Sequence, residues 1–188
     1  MTTTDDTELM LQVVTGRTSA LAVLFERYHA RLYRFCLRMT GDRHASEDLV
    51  QDVFMRVLKY RKTFRKDTPF MPWMFRIARN ACVDHLRRSS IEAKPNADIE
   101  RIAETAAADA AATAKAAEDD RGELVRRALL ALPAAVREVL VLSRFEFKTY
   151  EEIATVLGCS AGAARVRAHR AIKQLREAYL ELCEEVPK

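Results

Sequence analysis

The sequence predicts an all-α protein built as two small helical domains joined by a linker. Three observations carry that expectation. Apolar residues recur at three- and four-residue spacing along most of the chain. Five Gly and five Pro in 188 residues are too few for the many turns of a sandwich or barrel. Ala, Leu, Arg and Glu, all strong helix formers, are abundant. With 49% hydrophobic and 31% charged residues, the chain is globular rather than disordered.

The first helix is expected over Thr7–Thr15, where Leu9, Met10, Val13 and Val14 share a face and Gly16 can end it. A longer helix follows from Ser19 to Met39. Its apolar face is Leu21, Leu24, Phe25, Tyr28, Leu32, Phe35, Cys36 and Met39, and it ends before Gly41. The third, about Ala45 to Tyr60, turns Leu49, Val53, Phe54, Val57 and Leu58 inward. Phe64–Pro69 is polar and then broken by proline, so it reads as a loop. Thr68 before Pro69 suits the start of a fourth helix, which carries Trp73, Phe75, Ile77, Ala81 and Leu86 out to Arg87 and Arg88. Residues 1–90 therefore make one helical domain.

Residues 91–120 read as an acidic, alanine-rich linker. From Ala103 to Ala117, ten of fifteen residues are Ala, with no large apolar residue to anchor a face. Residues 121–188 make the second domain. Leu124–Leu132 is helical, and Pro133 opens another helix to about Arg144. Thr149-Tyr-Glu-Glu152 forms a capping box for Tyr150–Leu157, which Gly158 ends. Ser160 can cap a last helix from Ala161 to about Leu182. Helix, tight turn and longer basic helix describe a helix-turn-helix. Projected at about 100° per residue, Ala164, Ala168, Ala171, Ile172 and Leu175 fall on the inward side. Gly162, Val166, His169, Arg170 and Lys173 fall opposite, with Arg165, Arg167 and Arg176 on the flanks. Val166 could touch a thymine methyl group.

Charge sorts by segment. Residues 1–90 hold 16 Lys/Arg against 10 Asp/Glu, residues 91–120 hold 3 against 8, and residues 121–188 hold 12 against 9. No acidic residue lies between Asp52 and Asp67, a window holding Arg56, Lys59, Arg61, Lys62, Arg65 and Lys66. None lies between Glu152 and Glu177, where Arg165, Arg167, Arg170, Lys173 and Arg176 cluster. Two such windows in a chain of pI 9.0 point to a polyanion, and nucleic acid is the obvious one.

Other classes are disfavoured. No apolar run reaches the roughly 18 residues of a membrane span, so no membrane insertion is expected, and the polar, acidic start is no secretory signal. Cys36, Cys82, Cys159 and Cys183 are scattered without a CxxC pair, which suits a reduced, cytoplasmic chain. Cys82 and His85 share a helix face, but two ligands do not close a zinc site. No Gly-rich phosphate loop, GxSxG or HExxH is present. Neither an enzyme nor a cofactor is expected.

At this point the residues resemble a known family. Leu132-Pro-Ala-Ala-Val-Arg-Glu-Val-Leu140, Tyr150-Glu-Glu-Ile-Ala154, Leu157-Gly and Arg167-Ala-His-Arg-Ala171 look like region 4 of a bacterial extracytoplasmic-function sigma factor. Independently, Ser46-Glu-Asp-Leu-Val-Gln-Asp52, Trp73-Met-Phe-Arg-Ile-Ala-Arg-Asn80 and Asp84-His-Leu-Arg-Arg88 look like region 2. Pro72, Ala163 and Ala164 depart from the residues usual there.

The resemblance implies an alternative sigma factor that binds core RNA polymerase, recognises promoter DNA and is controlled by an anti-sigma factor, often in a stress response. Region 4 would read the −35 element through Ser160, Arg165, Arg167, His169, Arg170 and Lys173. Region 2 would engage and help melt the −10 element through Phe64, Arg76, Arg79, Asn80, Asp84, Arg87 and Arg88. Glu47, Asp48, Gln51 and Asp52 would dock on the clamp helices of the polymerase. An autonomous helix-turn-helix regulator is the alternative, but it leaves the region 2 motifs without a task.

Overall fold

The computed structural model describes residues 5–92, 116–147 and 149–185. Among them there are helices and turns and no strand. The expected linker lies largely outside the described residues: α4 below runs to Glu92 and α5 begins at Ala116, so helix continues past both expected boundaries.

The N-terminal half is α1 (Asp6–Val14), α2 (Ser19–Thr40), α3 (Arg43–Tyr60) and α4 (Phe70–Glu92). Gly41 ends α2 at φ +75°, a conformation that side chains resist. One residue on, the Asp42 carboxylate caps α3 by accepting the Ala45 N–H at 3.0 Å. A single 3₁₀ turn, Arg61–Thr63, then leads into the loop. Pro72 sits in the first turn of α4, where a missing N–H leaves no helical bond unmade. Leu24, Leu32, Phe35, Met39, Val53, Phe75 and Ala81 are fully buried between these helices.

The C-terminal half is α5 (Ala116–Ala131), α6 (Ala134–Val141), α7 (Tyr150–Leu157) and α8 (Ala161–Glu185). The helix expected from Pro133 to Arg144 ends early as a regular α-helix. It widens into a π turn over Leu142–Glu146, closed by the Phe147 N–H on the Leu142 carbonyl at 2.9 Å. The extra residue turns Glu146 and Phe147 inward while Arg144 and Phe145 stay exposed.

The two halves share one hydrophobic core. Phe75 of α4 meets the edge of Phe147 at 5.3 Å, and α4 lies along α7. The methyls of Leu130 close over Gly41, and Arg137 reaches from α6 to the Met39 carbonyl at the end of α2.

Candidate nucleic-acid interface

The turn before α8 is held by three local devices. The Thr149 hydroxyl accepts the Glu152 N–H at 3.3 Å, and Glu152 returns a carboxylate oxygen to the Thr149 N–H at 3.2 Å. Gly158 takes φ +67° to end α7. Ser160 Oγ then accepts the Ala163 N–H at 3.2 Å and starts α8. Ala164, Ala168 and Ala171 are buried, and their small side chains let α8 approach α6 and α7 closely. Ile172 and Leu175 are half-buried against the same core.

The opposite face of α8 is open. Arg165, Val166, Arg167, His169, Arg170, Lys173 and Arg176 are all exposed. The Arg165 guanidinium lies over the Tyr150 ring at 5.4 Å, a cation–π contact that orients the head while leaving it exposed. Lys173 faces Glu177 at 3.7 Å across one helical turn, a solvated pair that a phosphate can displace.

A second basic surface follows one side of α4. Arg76, Asn80, Arg87 and Arg88 are exposed there. Arg76 and Asn80 border a surface hollow of about 430 Å³, with Trp73 and Asp84 from α4 and Arg56 and Tyr60 from α3. The Arg56 guanidinium spans the hollow's edge between Asp52 at 2.9 Å and Asp84 at 3.1 Å. Burial opposes its charge, but the bonds to the two carboxylates outweigh that and raise its pKa. Arg56 and Tyr60 drew no assignment from the sequence, although Arg56 opens the first acid-free window.

The remaining candidates sit differently. Phe64 is buried, its ring 5.2 Å from Trp73 and 6.1 Å from Phe70, so it pins the loop into the aromatic core rather than facing solvent. Arg79 does not line the hollow: both oxygens of Glu138 hold it, at 2.7 and 3.0 Å, and it donates to the Asn80 side-chain oxygen at 3.2 Å. Glu47, Asp48 and Gln51 are exposed near the start of α3, and Asp52 is half-buried. Leu49 and Val53 anchor that turn to the core.

Cys82 meets Cys36, not His85: their sulfurs are 3.7 Å apart in the core. The hydrogen bond to Cys36, and then burial, push the Cys82 thiol well above its ordinary pKa. Among the described residues no cluster of His, Cys, Asp or Glu is arranged to hold a metal, and no helix is long and apolar enough to cross a membrane.

Comparison with known proteins matches both halves. The sigma-70 region 2 family matches residues 24–91 and the sigma-70 region 4 family residues 122–175. The RNA polymerase sigma factor CarQ of Myxococcus xanthus is 38% identical over 178 residues, spanning 92% of this chain and 97% of that one. The ECF RNA polymerase sigma factor SigE of Mycolicibacterium smegmatis is 36% identical over 156 residues, covering 80% of this chain and 58% of its own. Among solved structures, CnrH in complex with the cytosolic domain of CnrY superposes with a TM-score of 0.69 at 26% identity. That match covers 96% of this chain and 99% of CnrH.

Proposed function

The chain belongs to the extracytoplasmic-function sigma factors of bacterial RNA polymerase, and from that membership we propose a division of labour among its surfaces. As such a factor it binds core RNA polymerase and directs initiation at chosen promoters through their −10 and −35 elements. The domain division at residues 1–90, 91–120 and 121–188 follows the two regions. Region 4 reads the −35 duplex with α8. Arg165, Arg167, Arg170 and Lys173 supply phosphate contacts or bidentate bonds to guanine, and His169 and Ser160 complete the face. The observation that carries this assignment is the make-up of α8: five exposed cations on its open side, three buried alanines behind.

Region 2 takes the −10 element as single strand. An unstacked base enters the hollow beside Asn80, whose amide can both donate and accept on a base edge. Arg76, Arg87 and Arg88 hold the flanking phosphates. Trp73 and Phe64 support the wall of the hollow from within the core. Asp84 acts through Arg56, which it fixes in place. Glu47, Asp48, Gln51 and Asp52 face a basic surface of the polymerase. In this reading the chain forms and breaks no bonds itself, needs no cofactor and works in the cytoplasm.

An anti-sigma factor is the proposed regulator. Supporting this, the related CnrH is solved in the grip of a cytosolic domain of CnrY. A chain fully active in its own cell without induction would overturn it.

The test of the main reading is run-off transcription by purified core polymerase on a genomic promoter library, with and without the chain. Starts that share two upstream elements are the expected result. A chain that binds duplex DNA alone but never directs a start would be an autonomous regulator instead.

A further inference from the structure

We propose that Arg56 is a positioning residue shared between two surfaces: Asp52 holds it off the promoter strand until the polymerase claims that carboxylate, and Arg56 then takes a strand phosphate beside the hollow. This role rests on the reading above, in which Asp52 faces the polymerase and the hollow accepts a base of the −10 strand.

Arg56 stands where those surfaces meet. It borders the hollow that Asn80 and Trp73 also line. It borders as well a second hollow of about 430 Å³, shared with Asp48 and Asp52 of α3 and with His85 and Arg88 of α4. Of the residues lining the two, Arg56 alone is common to both. Its Nε donates to Asp52 at 2.9 Å, one turn back on α3. Its Nη1 donates to Asp84 of α4 at 3.1 Å. All three side chains are partly exposed, so the arrangement is open to exchange with a ligand.

One guanidinium between two carboxylates leaves a surplus negative charge, which repels an approaching phosphate. Salt bridges this exposed contribute little and exchange readily. A cation of the polymerase that pairs with Asp52 removes the surplus and frees the Arg56 Nε–H. The bond to Asp84 keeps the guanidinium at the hollow meanwhile, so the freed N–H is offered beside the captured base. A phosphate oxygen then replaces the carboxylate oxygen, an exchange that the guanidinium fork suits. Polymerase docking and strand capture are coupled through this one side chain, and such coupling is reciprocal.

The experiment measures binding of a mixed-sequence single-stranded oligonucleotide to the full chain across a salt series. Asp52→Asn imitates the claimed carboxylate. It should bind a few-fold tighter than wild type, with a log–log salt slope steeper by about 0.7 for the phosphate gained. Glu26→Gln, which removes the same charge from an exposed site on α2, should match wild type. In an Arg56→Met background, which keeps the stem and removes the head, Asp52→Asn should change neither affinity nor slope. Should Arg56→Met fail to fold, as its circular dichroism would show, Arg56→Gln replaces it in the cycle. Core polymerase gives the second reading: the oligonucleotide should tighten the wild-type chain's binding to core by a larger factor than that of Arg56→Met. An Asp52→Asn chain that binds as wild type does overturns the release of Arg56. A gain that persists without Arg56 overturns it too, because net charge then accounts for it. Equal tightening in wild type and Arg56→Met overturns the link to the polymerase. Failure of the underlying reading shows elsewhere: if Asn80→Ala binds the oligonucleotide as wild type does, the hollow takes no base, while an Arg56-dependent gain in Asp52→Asn would still place a phosphate on Arg56.

Discussion

Arg137 lies almost wholly buried, and its guanidinium serves the backbone: it donates to the main-chain carbonyls of Met39, Leu130 and Leu132. Burial alone pulls its pKa below the ordinary arginine value. Its worth lies in the three carbonyls it satisfies, since each buried polar group left unpaired costs about 1–3 kcal/mol. Arg137→Met should therefore lower unfolding free energy by about 3 kcal/mol or more, read as an earlier urea midpoint. Asn80 is the opposite case, exposed, with one solvent-facing bond accepted from Arg79 at 3.2 Å. Asn80→Ala should leave the urea midpoint in place and weaken −10 single-strand binding by about 1–3 kcal/mol, while −35 duplex binding stays as it was. The cysteines offer a third check. Cys183 is exposed, whereas Cys36 and Cys82 are sealed in the core. A thiol reagent should label Cys183 at once, and Cys36 and Cys82 only when the chain unfolds.

At the scale of elements, two left-handed glycines end helices for different reasons. Gly158 at φ +67° has open space where a Cβ would go, so Gly158→Ala should cost only the conformational penalty, about 1 kcal/mol. At Gly41 a Cβ would stand 2.7 Å from a Leu130 methyl of the other half. Gly41→Ala should cost clearly more, and adding Leu130→Ala should return part of the difference in a double-mutant cycle on unfolding free energies. The capping box, the glycine stop and the serine cap of the helix-turn-helix all stood in the sequence, because each is a local bond between neighbours. The Asp42 cap passed unnoticed, since α3 begins two residues before its first apolar positions suggest. The π turn was equally hidden. Its apolar spacing reads as ordinary helix until Glu146 and Phe147 find partners on α2 and α4.

For the whole molecule, the shared core sets the expectation. Two independent domains on a linker would melt separately, yet here Phe147, Leu129 and Leu132 belong to the same buried cluster as Phe75 and Met39. Calorimetry of the wild-type chain should show a single transition. Two well-separated transitions in the wild type would mean that the halves pack too weakly to unfold together.

By itself the sequence determined the helices, their order, the turn that presents α8 and the basic character of its open face. These follow from periodicity, caps and charge, all readable over a few residues. Only the tertiary structure decided which way each α4 side chain points. Arg76 and Arg79 are three residues apart with the same chemistry, yet one borders the hollow and the other is held by Glu138. Phe64, which the family resemblance puts in the loop facing the DNA, packs its ring against Trp73 and Phe70. The physical reason is common to both: burial and long-range charge pairing depend on which helix lies alongside, and residues 59 positions apart leave no local trace of meeting.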